Sequence, residues 1–113
     1  MIRGIVVEGS KKGREHGFPT ANILNFENLS TGIYAAKVFF ADRMYPAAAY
    51  IGTPKPDVLE VHLLDFTGDL YGKEIEVLIV KKIREDFHEP DEAKLKAMIE
   101  NDVKQIRLCL LES

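Results

Sequence analysis

The sequence predicts a small antiparallel β-barrel with one helix packed on its outside. Three observations carry this prediction. Within the first three quarters of the chain several short segments read as strands, and clusters of Gly, Pro, Asn and Asp separate them. In the last quarter the period lengthens to that of an amphipathic helix. Short strands linked by hairpins leave an open sheet edge unless the sheet closes on itself, which favours a barrel. A chain of 113 residues suits one compact domain over residues 1–113, and 46% hydrophobic with 29% charged residues is the balance of a soluble globular protein.

Gly4 to Glu8 contains the β-branched run Ile5-Val6-Val7, a first strand that ends at Gly9. Loop character then runs to about Ser30-Thr31-Gly32. Ile33 to Ala41 reads as a strand with Tyr34, Ala36, Val38 and Phe40 on one face. Asp42-Arg43 forms a two-residue turn into Met44 to Ile51, making a hairpin. Residues 52–57 hold two prolines and break the pattern. Val58 to Phe66 is the next strand. Its alternation separates Leu59, Val61 and Leu63 from Glu60, His62, Leu64 and Phe66, and Thr67-Gly68-Asp69 closes it. Glu74 to Ile83 alternates at Ile75, Val77 and Ile79. Pro90-Asp91-Glu92 then starts a helix of roughly 20 residues, with Leu95, Met98, Ile99, Val103, Ile106 and Leu110 at helical spacing.

Composition excludes several classes of function. The single Cys109 rules out an intramolecular disulfide and fits a reducing cytoplasm; within the helical pattern it is a small core or flank residue rather than a nucleophile. No apolar run is long enough to cross a bilayer and no secretory signal is present, so no membrane partner is expected. A net charge of −3 argues against a broad nucleic-acid footprint, whereas a local basic loop fits a small anionic ligand. His16, His62 and His88 lack metal-ligand spacing, so no zinc site is indicated. A closed barrel makes a monomer the expected state.

The most informative stretch is Gly17-Phe18-Pro19-Thr20-Ala21-Asn22, preceded by Gly9, Gly13 and Arg14. Thr20 and Asn22 offer neutral oxygens suited to a hard cation such as Mg²⁺ that phosphate oxygens also hold. The glycines let backbone N–H groups approach phosphate, and Lys11, Lys12 and Arg14 add positive charge. Pro19 biases Phe18 to an extended conformation, so Thr20 and Asn22 leave the turn on one side of an extended segment. The competing reading is an ordinary turn beside a solvated basic loop. Neither a Walker A sequence nor a dinucleotide fingerprint occurs. Glu60 and His62 share a strand face about 7 Å apart. Glu60 is thus either a general base for a hydroxyl attacking phosphorus, or the partner of His62 in an ion pair or simply exposed at the barrel mouth.

Taken in order, these segments resemble the riboflavin kinase (flavokinase) family. The matching pieces are GIVVEG at 4–9, GREHGFPTAN at 13–22, TGIYAAKV at 31–38 and EVHLLDFTGDLYGKEIEV at 60–77, with Ile83-Arg84-Glu85 ahead of the last helix. The resemblance implies a six-stranded antiparallel Greek-key barrel with a C-terminal helix. It also implies transfer of the γ-phosphoryl group of ATP to the 5′-hydroxyl of riboflavin, giving FMN. On this likeness Thr20 and Asn22 hold Mg²⁺ and nucleotide phosphates, and Glu60 is the catalytic base. Gly9, Lys12, Gly13, Arg14 and Pro19 belong to the nucleotide side, while Arg84 and Phe87 lie near the flavin.

In many bacteria such a domain is the C-terminal half of a bifunctional protein that also adenylylates FMN. Here Met1 falls almost at the domain start, which suggests a stand-alone kinase or that half alone, without FAD synthesis. Two connections look abbreviated against the family pattern, one between Ile51-Gly52 and Glu60 and one over residues 85–89. They leave open an alternative, a flavin- or nucleotide-binding barrel with weak or lost catalysis and a regulatory role. A barrel for single-stranded nucleic acid, with Phe39, Phe40, Tyr45 and Tyr50 as platforms, is disfavoured by the acidic balance.

Overall fold

A computed structural model describes residues 1–7, 20–24 (Thr20 as backbone), 27–53, 55–66, 68 and 70–111. Six strands form one antiparallel sheet: β1 (Ile2–Ile5), β2 (Thr20–Leu24), β3 (Gly32–Phe40), β4 (Arg43–Gly52), β5 (Lys55–Leu63) and β6 (Glu74–Arg84). A single helix, α1 (Glu92–Leu111), follows. The spatial order β1-β6-β3-β4-β5-β2 contains a Greek key, because β3, β4 and β5 follow one another by hairpins and β6 returns beside β3. The two ends of the sheet approach each other where Val7 bridges Asn22, its N–H 2.8 Å from the Asn22 carbonyl. The result is a nearly closed barrel. Gly4 permits that approach, since a Cβ there would lie 3.1 Å from Cβ of Ile23.

The predicted alternation fixes which side chains enter the barrel. Tyr34, Ala36 and Val38 of β3 face inward with Leu59, Val61 and Leu63 of β5, and Val38, Leu59, Val61 and Leu63 are fully buried. A Leu or Ile truncated to Ala in such a core costs about 2–5 kcal/mol. The outer face of β3 is covered as well, because Ile106 of α1 packs on Ile33 and Ala35 with Cys109 and Leu110 beside it. Both faces of β3 are therefore dry, which accounts for its small and apolar sequence and places Cys109 as the flank residue expected.

Several boundaries differ from the sequence reading, each for a local reason. The β3–β4 turn is Ala41-Asp42, one residue earlier than predicted, with φ of 52° and 63°. Positive φ at both central residues matches the twist of a tight hairpin, and the pairing Phe40↔Arg43 keeps Phe40 on the inward face. Lys55–Asp57 belongs to β5 despite Pro56, because the ladder with β4 shifts register between Tyr50 and Gly52. β1 is Ile2–Ile5, ahead of the predicted Gly4–Glu8. Finally β5 ends at Leu63, so Phe66 leaves the Glu60 face and closes the barrel interior edge-on against Tyr45 and Phe40. Asp91 caps α1, accepting from the N–H groups of Ala93 (2.9 Å) and Lys94 (3.2 Å).

Candidate functional site

Inward packing of Ala21, Ile23, Leu59, Val61, Ala47 and Ala49 puts the intervening residues of β2, β5 and β4 on the outer face of the barrel. Asn22 pairs with Glu60 and Glu60 with Tyr50; one step along, the Thr20 backbone pairs with His62 and His62 with Ala48. Adjacent strands lie about 5 Å apart, so Asn22, Glu60 and Tyr50 form a contiguous ledge with Glu60 in its middle. Asn22 is 3% exposed although it is polar and on the outer face. Burying an amide there is unfavourable unless its oxygen and N–H groups find partners or a ligand.

Glu60 and His62 are both about a quarter exposed, and His62 Nε2 lies 3.7 Å from a Glu60 carboxylate oxygen. The pairing weighed from the sequence is therefore present. It is longer than a good hydrogen bond and leaves the second carboxylate oxygen of Glu60 for another proton donor.

On the far side of Glu60 the phenol of Tyr50 donates to Asp86 at 2.9 Å. Burial, the hydrogen bond to Asp86 and the charges of Asp86 and Glu60 push its pKa up to about 12. Asp86 lies in the β6–α1 connection, and so does Phe87, which is 60% exposed. Arg84 ends β6. Its guanidinium grips Asp102 of α1 through two bonds of 2.8 and 2.7 Å and donates a third to the Glu85 carbonyl at 3.0 Å. The bond to Asp102 raises the Arg84 pKa further. At least three of its five N–H donors are thus engaged within the protein.

The residues expected at the site divide accordingly. Asn22 and Glu60 come together in register, with the backbone of Thr20 one row away. Arg84 ends β6 and clamps the helix, and Phe87 lies within the β6–α1 connection. Gly9, Lys12, Gly13, Arg14, Pro19 and the Thr20 side chain lie outside the described residues. Sequence reasoning missed Asp102, Thr53 and Asp86. A signal existed for Asp102: it follows Ile99 by three residues and precedes Ile106 by four, so a charge sits on the apolar stripe of α1. Among the described residues no cluster of three or more His, Cys, Asp or Glu side chains could hold a metal. The neutral oxygen of Asn22 beside the Glu60 carboxylate nonetheless suits a hard cation that takes its other ligands from phosphate.

Comparison with known proteins gives these side chains a context. Residues 1–110 match the family model described as riboflavin kinase. The chain is 43% identical over 110 residues to a bifunctional riboflavin kinase/FMN adenylyltransferase of Escherichia coli K12, covering 89% of this chain and 35% of that protein. The chain spans about a third of the length of the curated bifunctional relatives it matches. Among solved structures, a riboflavin kinase from Trypanosoma brucei superposes with a TM-score of 0.69 at 30% identity, covering 96% of this chain and 78% of that one. A protein described as a macrolide-efflux protein from Streptococcus pneumoniae superposes with a TM-score of 0.81 at 28% identity, over 93% of this chain and 37% of that one.

Proposed function

This chain belongs to the riboflavin kinase family, and from that premise we propose that it transfers the γ-phosphoryl group of ATP to the 5′-hydroxyl of riboflavin, releasing FMN and ADP. The observation that carries the reading is the in-register pair of Asn22 and Glu60 on the outer face of the barrel. One residue supplies a neutral oxygen for a metal–phosphate complex, and the other supplies a carboxylate within one strand spacing of it.

Asn22, with Thr20, would hold the nucleotide phosphates and Mg²⁺, which would supply positive charge to offset that of the phosphates. Gly9, Lys12, Gly13, Arg14 and Pro19 complete the nucleotide side. Glu60 accepts the proton of the riboflavin 5′-hydroxyl as its oxygen bonds to phosphorus and the bridging P–O bond to ADP breaks. His62, partly exposed, borders Glu60 on the same face with its Nε2 3.7 Å from the carboxylate. Arg84 and Phe87 border the flavin. Phosphoryl transfer depends mainly on positioning and electrostatics, so a barrel face with a few fixed groups is sufficient. The reading takes residues 1–113 as one kinase domain that acts as a monomer in the cytoplasm on small molecules, with no nucleic-acid or membrane partner.

The test is FMN formation from riboflavin, ATP and Mg²⁺, followed by chromatography with a metal-free control, for the wild type and Glu60→Gln. Metal-dependent FMN formation, lowered on the order of a hundredfold or more in a folded Glu60→Gln variant, is expected. Near-wild-type turnover in that variant removes Glu60 from the base role. Flavin binding without any FMN would instead support a binding barrel that has lost catalysis.

A further inference from the structure

The two connections that look short in the sequence meet at one carboxylate. Asp86, in the β6–α1 connection, accepts from the backbone N–H of Thr53 (3.1 Å), the Thr53 hydroxyl (2.9 Å) and the Tyr50 phenol (2.9 Å). Thr53 is the β4–β5 turn and Tyr50 lies near the end of β4, so residues more than thirty positions away in sequence hang on Asp86. Burial opposes the charge on Asp86, but the Thr53 amide, the two hydroxyls and the Phe87 amide outweigh it and hold the carboxyl below the usual range. Gly52 makes the arrangement possible. A Cβ at that position would lie 2.7 Å from the Tyr50 hydroxyl oxygen, so only glycine lets the phenol lie along the strand towards Asp86.

The ledge Asn22–Glu60–Tyr50 gives this brace a place in the reaction. If phosphate binds on the Asn22 side, an in-line attack brings the acceptor hydroxyl from the opposite side, and the base must touch that hydroxyl. The opposite side is the one bounded by Tyr50, Thr53 and Asp86. We propose that Asp86 is a positioning residue for the acceptor substrate, tying the β4–β5 turn to the β6–α1 connection so that Tyr50 and Phe87 stand as one preformed wall beside Glu60. The inference rests on the kinase reading and adds to it a residue that touches neither the reacting atoms nor the phosphates. Joined in this way, the two short connections act as one element instead of two independent flaps.

A bound conformation that the free protein seldom visits weakens apparent affinity in proportion to its population. Asp86→Ala in the full chain is therefore expected to raise KM for riboflavin by roughly fivefold to thirtyfold. KM for ATP and kcat at saturating flavin should stay within about twofold. Asp86→Asn keeps one acceptor oxygen and should fall between. Independently of activity, Asp86→Ala should speed hydrogen exchange at the Thr53 amide and lower the pH at which the Tyr50 phenol ionises. General loosening of the fold would move both KM values and kcat together, and that result overturns the proposal, as does an unchanged riboflavin KM. If the wild type makes no FMN, the kinase reading fails, and Asp86 is then judged by titrating riboflavin fluorescence. Weaker flavin binding by Asp86→Ala upholds the positioning role, and equal binding refutes it.

Discussion

The Arg84–Asp102 pair joins the end of β6 to the middle of α1, and cutting it from either side should have unequal consequences. The Asp102 side chain is 8% exposed and that of Arg84 28%, with two charge-assisted bonds of 2.7 and 2.8 Å between them. Breaking a fully buried pair from one side costs about 3–5 kcal/mol, because the survivor is left charged and dry. In Asp102→Ala the survivor is Arg84, which keeps its bond to the Glu85 carbonyl and reaches water, so about 2–3 kcal/mol is expected. In Arg84→Ala the survivor is the nearly buried Asp102 carboxylate, and the full 3–5 kcal/mol or so applies near neutral pH.

That second variant also acquires a pH signature. An unpaired buried carboxyl has its folded pKa raised above the unfolded value, so the folded state binds more protons and stability increases as pH falls towards 5. In the wild type the same carboxylate accepts two charge-assisted bonds from the Arg84 guanidinium. Urea unfolding followed by circular dichroism at pH 7 and pH 5.5 measures both effects, with the m-value checking that each variant still unfolds as one unit. Equal losses in the two variants, or a gap between Arg84→Ala and wild type that ignores pH, would refute the asymmetry of burial from which the prediction is drawn.

Two further changes test local backbone arguments. Gly32 has φ of +146° and a Cβ there would sit 2.8 Å from the Arg84 carbonyl oxygen, so Gly32→Ala should destabilise by about 2–3 kcal/mol, read as a lower urea midpoint. Asp91→Ala removes the cap of α1 and should cost about 1 kcal/mol, lowering the thermal midpoint by roughly 3–6 °C, while Asp91→Asn should keep nearly all of it.

Period-two alternation placed the core face of β5 but not that of β2, since Thr20–Leu24 falls in a stretch read as loop although Ala21 and Ile23 are buried. Leu59, Val61 and Leu63 were legible as one face because a half-buried strand must separate apolar from polar, and the structure buries all three completely. The start of α1 was legible because Pro90-Asp91-Glu92 carries both a cap and favourable charge. Turn residues were less legible. Ala41 at positive φ carries no sequence signal, since alanine is there only because the β3–β4 register demands it. At the candidate site, Glu60 could be found because it is a carboxylate within an apolar strand, and Asn22 because it follows Thr20 by two residues after a stretch rich in glycine and basic residues. Asp86 could not, because a carboxylate in a polar loop looks solvated until Thr53 and Tyr50 are seen to converge on it. Its partners are set by tertiary packing rather than by spacing along the chain.

The same alternation that builds the barrel also registers the ledge. If β5 slipped by one residue against β2 and β4, Leu59 and Val61 would be thrust onto the outer face and Glu60 into the barrel interior. An unpaired carboxylate there is so unfavourable that the slipped arrangement is excluded, as is the exposure of side chains now wholly buried. The pairings Asn22↔Glu60 and Glu60↔Tyr50 are therefore enforced from beneath by apolar residues that take no part in chemistry. Outward substitutions such as Glu60→Gln leave that enforcement intact, because the amide occupies the same space on a face that the core does not use. Stability and the proposed chemistry are thus carried by opposite faces of one strand, so a loss of turnover in that variant can be read as chemistry instead of unfolding.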